Sequence, residues 1–346
     1  MPAAIFGSVE SGIIYAIMAL GVYISFRILD FPDLTVDGSF VTGAAVAAIM
    51  ITTGSSPVLA TFAGAGAGFA AGTITGLLHT KGKINPLLSG ILMMIALYSI
   101  NLRIMGRPNV PLLNQETGMT AVGEWSAALG IDGALNGLYG MIFTESYLPA
   151  TWGILLAMIV VTFSIKLLLD WFLKTEIGLA LRATGNNKQM IRSHSANTDR
   201  YIVAGLGLSN GLVAFSGALI AQYSSFADVG MGIGMIIIGL ASVIIGEALF
   251  GTKSIARTTL AVIGGAVIYR IVVSMALRVE FLETGDMKMI TAAIVVLALI
   301  VPKWVDARKE KRRKEKRRAE RVASIQERKQ KGGDHIAAAA TDQQSV

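Results

Sequence analysis

The sequence contains no cysteine, so disulfides and thiolate-bound metals are excluded. Histidine is almost absent. His79, His194 and His335 stand far apart and match no metal-ligand spacing, so neither a metal site nor a cofactor is expected. Charge is also scarce: 15% of the 346 residues are charged, against about a quarter in soluble domains. With a mean hydropathy of +0.61, the chain is too apolar for a water-facing surface and belongs to the membrane class. No G-x-x-x-x-G-K-[ST] loop is present. The nearest approach, Gly251-Thr-Lys253-Ser254, has the wrong spacing for a phosphate cradle. No Ser/His/Asp set or carboxylate pair suggests hydrolysis, so the chain reads as a non-catalyst.

What charge there is lies unevenly. Residues 1–302 hold 16 basic and 16 acidic residues, whereas residues 303–346 hold 14 basic and 7 acidic. The sequence pI near 9.6 is therefore a property of the tail and gives no reason to expect nucleic-acid binding. Two domains follow: 1–302 as a transmembrane domain, and 303–346 as a basic, partly disordered cytoplasmic tail that fixes topology and touches anionic lipid. No basic n-region precedes the apolar run from Ile5 and no small-residue cleavage site follows it, so this run is expected to remain as a span.

A spanning helix needs about 20 mostly apolar residues. Nine runs qualify: 5–26, 38–53, 58–79, 86–103, 152–172, 201–222, 235–250, 260–277 and 289–301. The second, seventh and ninth are short, which brackets the count at eight to ten. The expected fold is thus an all-α polytopic membrane protein. Orientation follows from Lys and Arg in short loops. Lys81 and Lys83, the 174–200 connection, Lys253 with Arg257, and the tail are basic, while 104–151 and 223–234 are neutral or acidic. This alternation puts the C-terminus in the cytoplasm of a bacterial inner membrane.

Gly64, Gly68, Gly72 and Gly76 form an i,i+4 ladder on the third run, read as tight helix packing or as a pore lining. A weak repeat relates Phe31-Pro-Asp33 before Gly38 and Gly43 to Phe226-Ala-Asp228 before Gly234 and Gly239. The loop count puts the two copies on opposite sides, as an inverted-topology repeat requires, with short broken helices lining a pathway.

Polar residues inside apolar runs are costly and face protein or water. Glu10, Asn210 and Arg270 are such residues, and Glu10 with Arg270 is a candidate ion pair. Asp33, Asp37 and Asp228 precede short runs, where they cap helices or line a pathway, and Gln222 closes the sixth run. Lys166 and Asp170 read as an interfacial i,i+4 pair with a snorkelling lysine.

The connection 173–200 is amphipathic and basic. Ile177, Leu181 and Thr184 recur at helical spacing, Gly185 breaks the run, Met190 opens a second apolar patch, and Asn197-Thr-Asp199 caps the next span. This predicts either a knob that docks into a groove on a soluble partner or an amphipathic segment on the lipid headgroups.

Four stretches carry a resemblance: Asp33-Leu-Thr-Val-Asp37-Gly38; Gly178-Leu-Ala-Leu-Arg182-Ala183-Thr184-Gly185 with Asn197-Thr-Asp199-Arg200; Leu208-Ser-Asn210-Gly211 through Gly217 to Gln222; and Phe226-Ala-Asp228 through Gly246-Glu247. Together they resemble the permeases of ABC importers in the branched-chain amino acid and ribose permease family, closest to those of tryptophan/tyrosine-type uptake systems, over roughly 5–302. The resemblance implies a homodimer with two ATP-binding subunits and an extracytoplasmic solute-binding protein. It also implies that the loop holding Ile177, Leu181, Arg182, Ala183, Thr184, Asn186 and Met190 contacts the ATPase. On this reading Glu10, Asp33, Asp37, Asn210, Gln222, Asp228 and Arg270 are candidates for the translocation pathway of a small organic solute. The rival reading is a secondary transporter or channel without an ATPase; the small number of buried ionisable residues argues against it.

Overall fold

The structure, a computed structural model, describes residues 2–140, 151–187, 191 and 197–276, together with isolated positions beyond. The chain divides into Met1–Val295 and Val296–Val346, and in the second unit only positions 296, 300 and 308 are described. The ninth expected span therefore lies outside the described residues, except at isolated positions, and Met190 lies outside them too.

The other eight expected spans are helices. They are α1 (Pro2–Tyr23, continued by a π-helical turn, Ile24–Ile28), α2 (Thr35–Thr52), α3 (Pro57–Thr80), α4 (Pro86–Met105), α7 (Gly153–Phe172), α9 (Thr198–Ser224), α10 (Met235–Phe250) and α11 (Ile255–Ala276). Among the described residues seven are long and apolar enough to cross a bilayer, while α10 is shorter. Between them lie α5 (Gly118–Ala128) and α6 (Ile131–Gly140) in the 104–151 connection, and α8 (Glu176–Asn186) in the 173–200 connection.

Local chemistry sets the helix ends. Ser56 accepts from the Leu59 amide before Pro57, and Asn85 accepts from the Leu87 amide before Pro86; proline at the first helical position removes a donor that has no intrahelical partner. Asn197 accepts from the Asp199 and Arg200 amides, the cap its sequence predicts. Arg257 Nε donates to the Phe250 carbonyl at 2.7 Å, satisfying a carbonyl at the end of α10. The connections around 104–117 and 223–234 are joined by two three-residue strands that the sequence does not announce, β1 (Asn109–Pro111) and β2 (Phe226–Asp228). They are antiparallel, with Asn109 opposite Asp228.

In lipid, helix association rests on close packing rather than on removing apolar surface from water. The glycine ladder of α3 serves that packing. A Cβ on Gly72 would come within 2.2 Å of the Leu206 carbonyl oxygen, and one on Gly68 within 2.2 Å of Ala214 Cβ, both on α9. Gly43 of α2 and Gly217 of α9 seat those two helices equally closely, against Ala214 O and Phe40 O. The ladder is a backbone-contact seam and does not line the cavity described below. The outer faces of α4 and α7 carry exposed Leu92, Ile100, Leu167 and Trp171, as helices facing hydrocarbon do.

Lys166 and Asp170 do pair, at 2.6 Å, but the lysine does not snorkel. Both are buried, and Thr259 Oγ1 of α11 donates to Asp170 at 2.6 Å. The sequence shows the i,i+4 spacing but not the face, and here that face is turned toward α11.

Candidate functional site

The two repeat copies meet. Asp37 lies in the first turn of α2, and its carboxylate accepts from the backbone amides of Gly234 (2.9 Å) and Ile236 (2.8 Å) at the start of α10. Gly232 fits because it lacks a side chain: a Cβ there would stand 2.1 Å from the Asp37 carbonyl oxygen. From this junction α10 runs to the end of α1 marked by Arg27, which hydrogen-bonds Glu247. α2 runs the other way, toward Pro57 and the Gly118–Gln222 contact, next to Tyr223, which faces Gly7 near the start of α1. Two helices thus start head to head and leave toward opposite ends of α1, the arrangement an inverted repeat calls for.

A cavity of about 480 Å³ lies beside the junction, walled by Asp37, Val41, Ile95, Tyr98, Asn101 and Ile233 among others. Asn101 is fixed in this wall, accepting from Thr42 Oγ1 at 2.8 Å and donating to the Gly38 carbonyl at 3.1 Å. The sequence reading misses Tyr98, Asn101 and Ile233. The Gly230-x-Gly232-x-Gly234 spacing was the available signal, since it marks backbone that must approach another chain segment closely.

The other pathway candidates are spread through the fold. Asp33 is wholly buried and accepts from the Thr35 amide at 2.9 Å and from Asn210 Nδ2 at 2.6 Å. Burial pushes its carboxyl above the usual carboxylate range, against the pull of these hydrogen bonds. Asn210 also donates to the Leu206 carbonyl, so the pair ties the α1–α2 loop to the middle of α9. Gln222 is committed as well: its Oε1 accepts from the Gly118 amide at 2.9 Å and its Nε2 donates to Thr61 at 2.8 Å. It borders a second cavity, of about 760 Å³, walled largely by apolar residues of α3, α7 and α9. Asp228 accepts from the Gly230 amide at 2.8 Å and stabilises the turn after β2.

Glu10 and Arg270 do not pair. Tyr223 Oη donates to Glu10 at 3.0 Å, whereas Arg270 Nε donates to Ser11 at 3.2 Å and its guanidinium lies 4.7 Å over the Tyr15 ring. Consecutive helix residues point about 100° apart, so Glu10 faces α9 while Ser11 faces α11.

The coupling candidates divide by face. Leu181 and Thr184 point inward: Leu181 is fully buried in a cluster with Leu29, Leu173, Ile202 and Leu206, and Thr184 donates to the Ala180 carbonyl. Inward-facing Leu181 and Thr184 do not serve as a docking face; their helical spacing marks how α8 seats on its own chain. Ile177 (55% exposed) and Leu179 (51%) face outward, as do Arg182 and Asn186, with Ala183 partly covered. Outside the spans, Asp132 accepts from the Trp152 amide at 2.7 Å, and this hydrogen bond holds its carboxyl below the usual range.

Comparison with known proteins identifies the family. Residues 4–301 match the family described as branched-chain amino acid transport system / permease component. A tyrosine transport system permease protein of Clostridioides difficile (strain R20291) is 42% identical over 297 residues, covering 86% of this chain and 90% of the relative. An uncharacterized protein of Rickettsia prowazekii (strain Madrid E) is 36% identical over 245 residues, covering 70% of this chain and 76% of the relative. A solved metal-chelate type ABC transporter in an inward-facing conformation aligns with a TM-score of 0.47 at 15% identity, covering 87% of this chain and 85% of that one. The chain therefore belongs to the branched-chain amino acid transport system permease family, as a multi-pass membrane permease component of an ABC-type transport system, which works with an ATP-binding partner.

Proposed function

We propose that this permease imports an amino acid with an aromatic side chain, as a homodimer whose pathway runs along the cavity beside Asp37. The observation that carries the reading is the head-to-head junction of α2 and α10 at one carboxylate, bordering an open cavity of about 480 Å³. Broken helices that meet this way mark binding sites in transporters. The cavity combines apolar surface from Val41, Ile95 and Ile233 with the polar groups of Tyr98, Asn101 and Asp37, the mixture an aromatic zwitterion needs. Ile95, Tyr98 and Ile233 are more than 50% exposed in the single chain, so a second copy is the natural cover. The relative that transports tyrosine supplies the solute class. The outward face of α8, with Ile177, Leu179, Arg182, Ala183 and Asn186, is the docking face for the ATPase, which carries out the hydrolysis. An extracytoplasmic binding protein delivers the solute. Residues 1–302 form the permease domain in the bacterial inner membrane, and residues 303–346 form a cytoplasmic tail.

The test reconstitutes the permease with its ATPase and binding protein in vesicles and measures tyrosine uptake. Because the chain has no cysteine, Tyr98→Cys tests the dimer face cleanly. Symmetric cross-linking at position 98, with uptake abolished by Ile95→Trp, supports the reading. Full uptake by Ile95→Trp together with no cross-link refutes it.

A further inference from the structure

The α1 helix does not end as an α-helix. Residues Ile24–Ile28 form a π-helical turn, with the Leu29 amide bonded to the Ile24 carbonyl at 3.0 Å and the Phe31 amide to the Ser25 carbonyl at 2.9 Å. The turn touches α8, the proposed docking helix, and α10, which starts beside the cavity.

On one side sits α8. A Cβ on Gly185 would lie 1.9 Å from the Ile28 carbonyl oxygen, so the end of α8 rests directly on backbone of the π turn. Leu29, just beyond the turn, packs with Leu181 of α8, and both would meet a Cβ on Gly205 of α9, at 2.7 and 2.8 Å. On the other side Arg27 reaches α10. Its Nε donates to both Glu247 carboxylate oxygens at 3.0 Å, and its terminal nitrogen completes a fork-shaped ion pair. The opposite end of α10 is held by Asp37 at the cavity.

We propose that Arg27 and Glu247 are the positioning residues that transmit movement of α8 to α10, with the π turn as the hinge between them. The proposal rests on the reading that α8 docks the ATPase and that α10 borders the pathway. The physical case has three parts. A π turn carries one more residue per hydrogen-bonded ring than an α turn, so reverting to α geometry rotates Arg27 by roughly 100° relative to the chain beyond the turn. The Gly185 contact leaves no slack, because backbone rests on backbone. The forked guanidinium–carboxylate geometry fixes orientation as well as distance, so turning Arg27 turns the end of α10. Arg27's side chain is 55% exposed and Glu247's 11%. Unpairing a largely buried carboxylate can cost stability, so the folding control and the exchanged pair are what separate a transport role from a folding role.

The experiment compares Arg27→Glu, Glu247→Arg and the exchanged double variant R27E/E247R in vesicles with ATPase and binding protein. ATPase retention, ATP hydrolysis and solute moved per ATP are read for each, with thermal unfolding as the folding control. The single variants are expected to keep the ATPase and hydrolyse ATP while solute per ATP falls about tenfold, within the usual range of site-to-site coupling. The exchanged variant is expected to recover most of that loss. Singles with normal solute per ATP, or a well-folded exchange no better than the singles, overturn the proposal. Leu179→Glu is run in parallel to separate the two readings. Loss of the ATPase there supports docking through α8. Retention overturns the docking reading, and the Arg27–Glu247 link is then judged by the charge-exchange rescue alone.

Discussion

Replacing Asp37 by alanine removes the acceptor for two backbone donors, the Gly234 and Ile236 amides at the start of α10. A hydrogen bond to a charged group is worth about 1.5–3 kcal/mol, and loss of a helix cap costs ~1 kcal/mol, up to about 2. Both bonds share one carboxylate at one helix end, so they fail together, and about 2–3 kcal/mol is the expected cost of opening this end. At about 1.4 kcal/mol per tenfold, exchange at the Gly234 and Ile236 amides should accelerate by roughly 30- to 140-fold. The assay is hydrogen exchange on the purified permease in detergent or nanodiscs, read over residues 230–240. Asp37→Asn keeps one acceptor oxygen and should fall between the two. The amide of Gly251, bonded to the Glu247 carbonyl at the far end, serves as the internal control and should not change. If Asp37→Ala alters exchange at Gly234 and Ile236 less than about threefold while the rest of the molecule keeps its protection, the junction is not held as described.

Lys166→Met leaves Asp170 buried with Thr259 as its remaining partner, so stability should fall by about 3–5 kcal/mol; combining it with Asp170→Leu should restore most of the loss in a thermal melt. Gly72→Leu should abolish monodisperse expression, because its Cβ would meet the Leu206 carbonyl at 2.2 Å, whereas Gly66→Leu, with nothing within 4 Å, should be tolerated; size-exclusion profiles distinguish the two. Asp132 has a lowered carboxyl, so its contribution to holding the start of α7 is present above the ordinary carboxylate range and is lost as pH falls below it. Trp152 emission, recorded with the other tryptophans replaced, should therefore titrate below that range, and a midpoint at or above it would contradict the assignment.

Spans were legible because 20 apolar residues between turn signals leave few alternatives, and the runs read from 58 and 86 open within one residue of the helices that start at Pro57 and Pro86. Asn197 was legible as a cap for the same local reason. The repeat could be read as an alignment, but not its consequence, since nothing local says that Asp37 reaches Gly234. Side-chain direction was the systematic weakness. On α8 the spacing of Ile177, Leu181 and Thr184 suggested one face, yet Leu181 and Thr184 turn to the core while Ile177 turns out. Within the spans the difficulty is greater, because apolar residues suit both lipid and core and hydropathy does not separate inside from outside as it does in water. The i,i+4 spacing of Lys166 and Asp170 likewise gave the pair but not the buried face it takes. Glu10 and Arg270 were correctly read as needing partners, and neighbouring positions on one turn decided which partners they took.

The bond between Asp37 and Gly234 also dictates an order of assembly. Its two residues are 197 positions apart, and at ~5–20 residues per second of synthesis the second emerges about 10–40 s after the first. Throughout that interval the donors for the Asp37 carboxylate do not yet exist. The nascent chain therefore cannot close this part of the molecule early. Nascent chains arrested before Gly234 should all have the Asp37 end open.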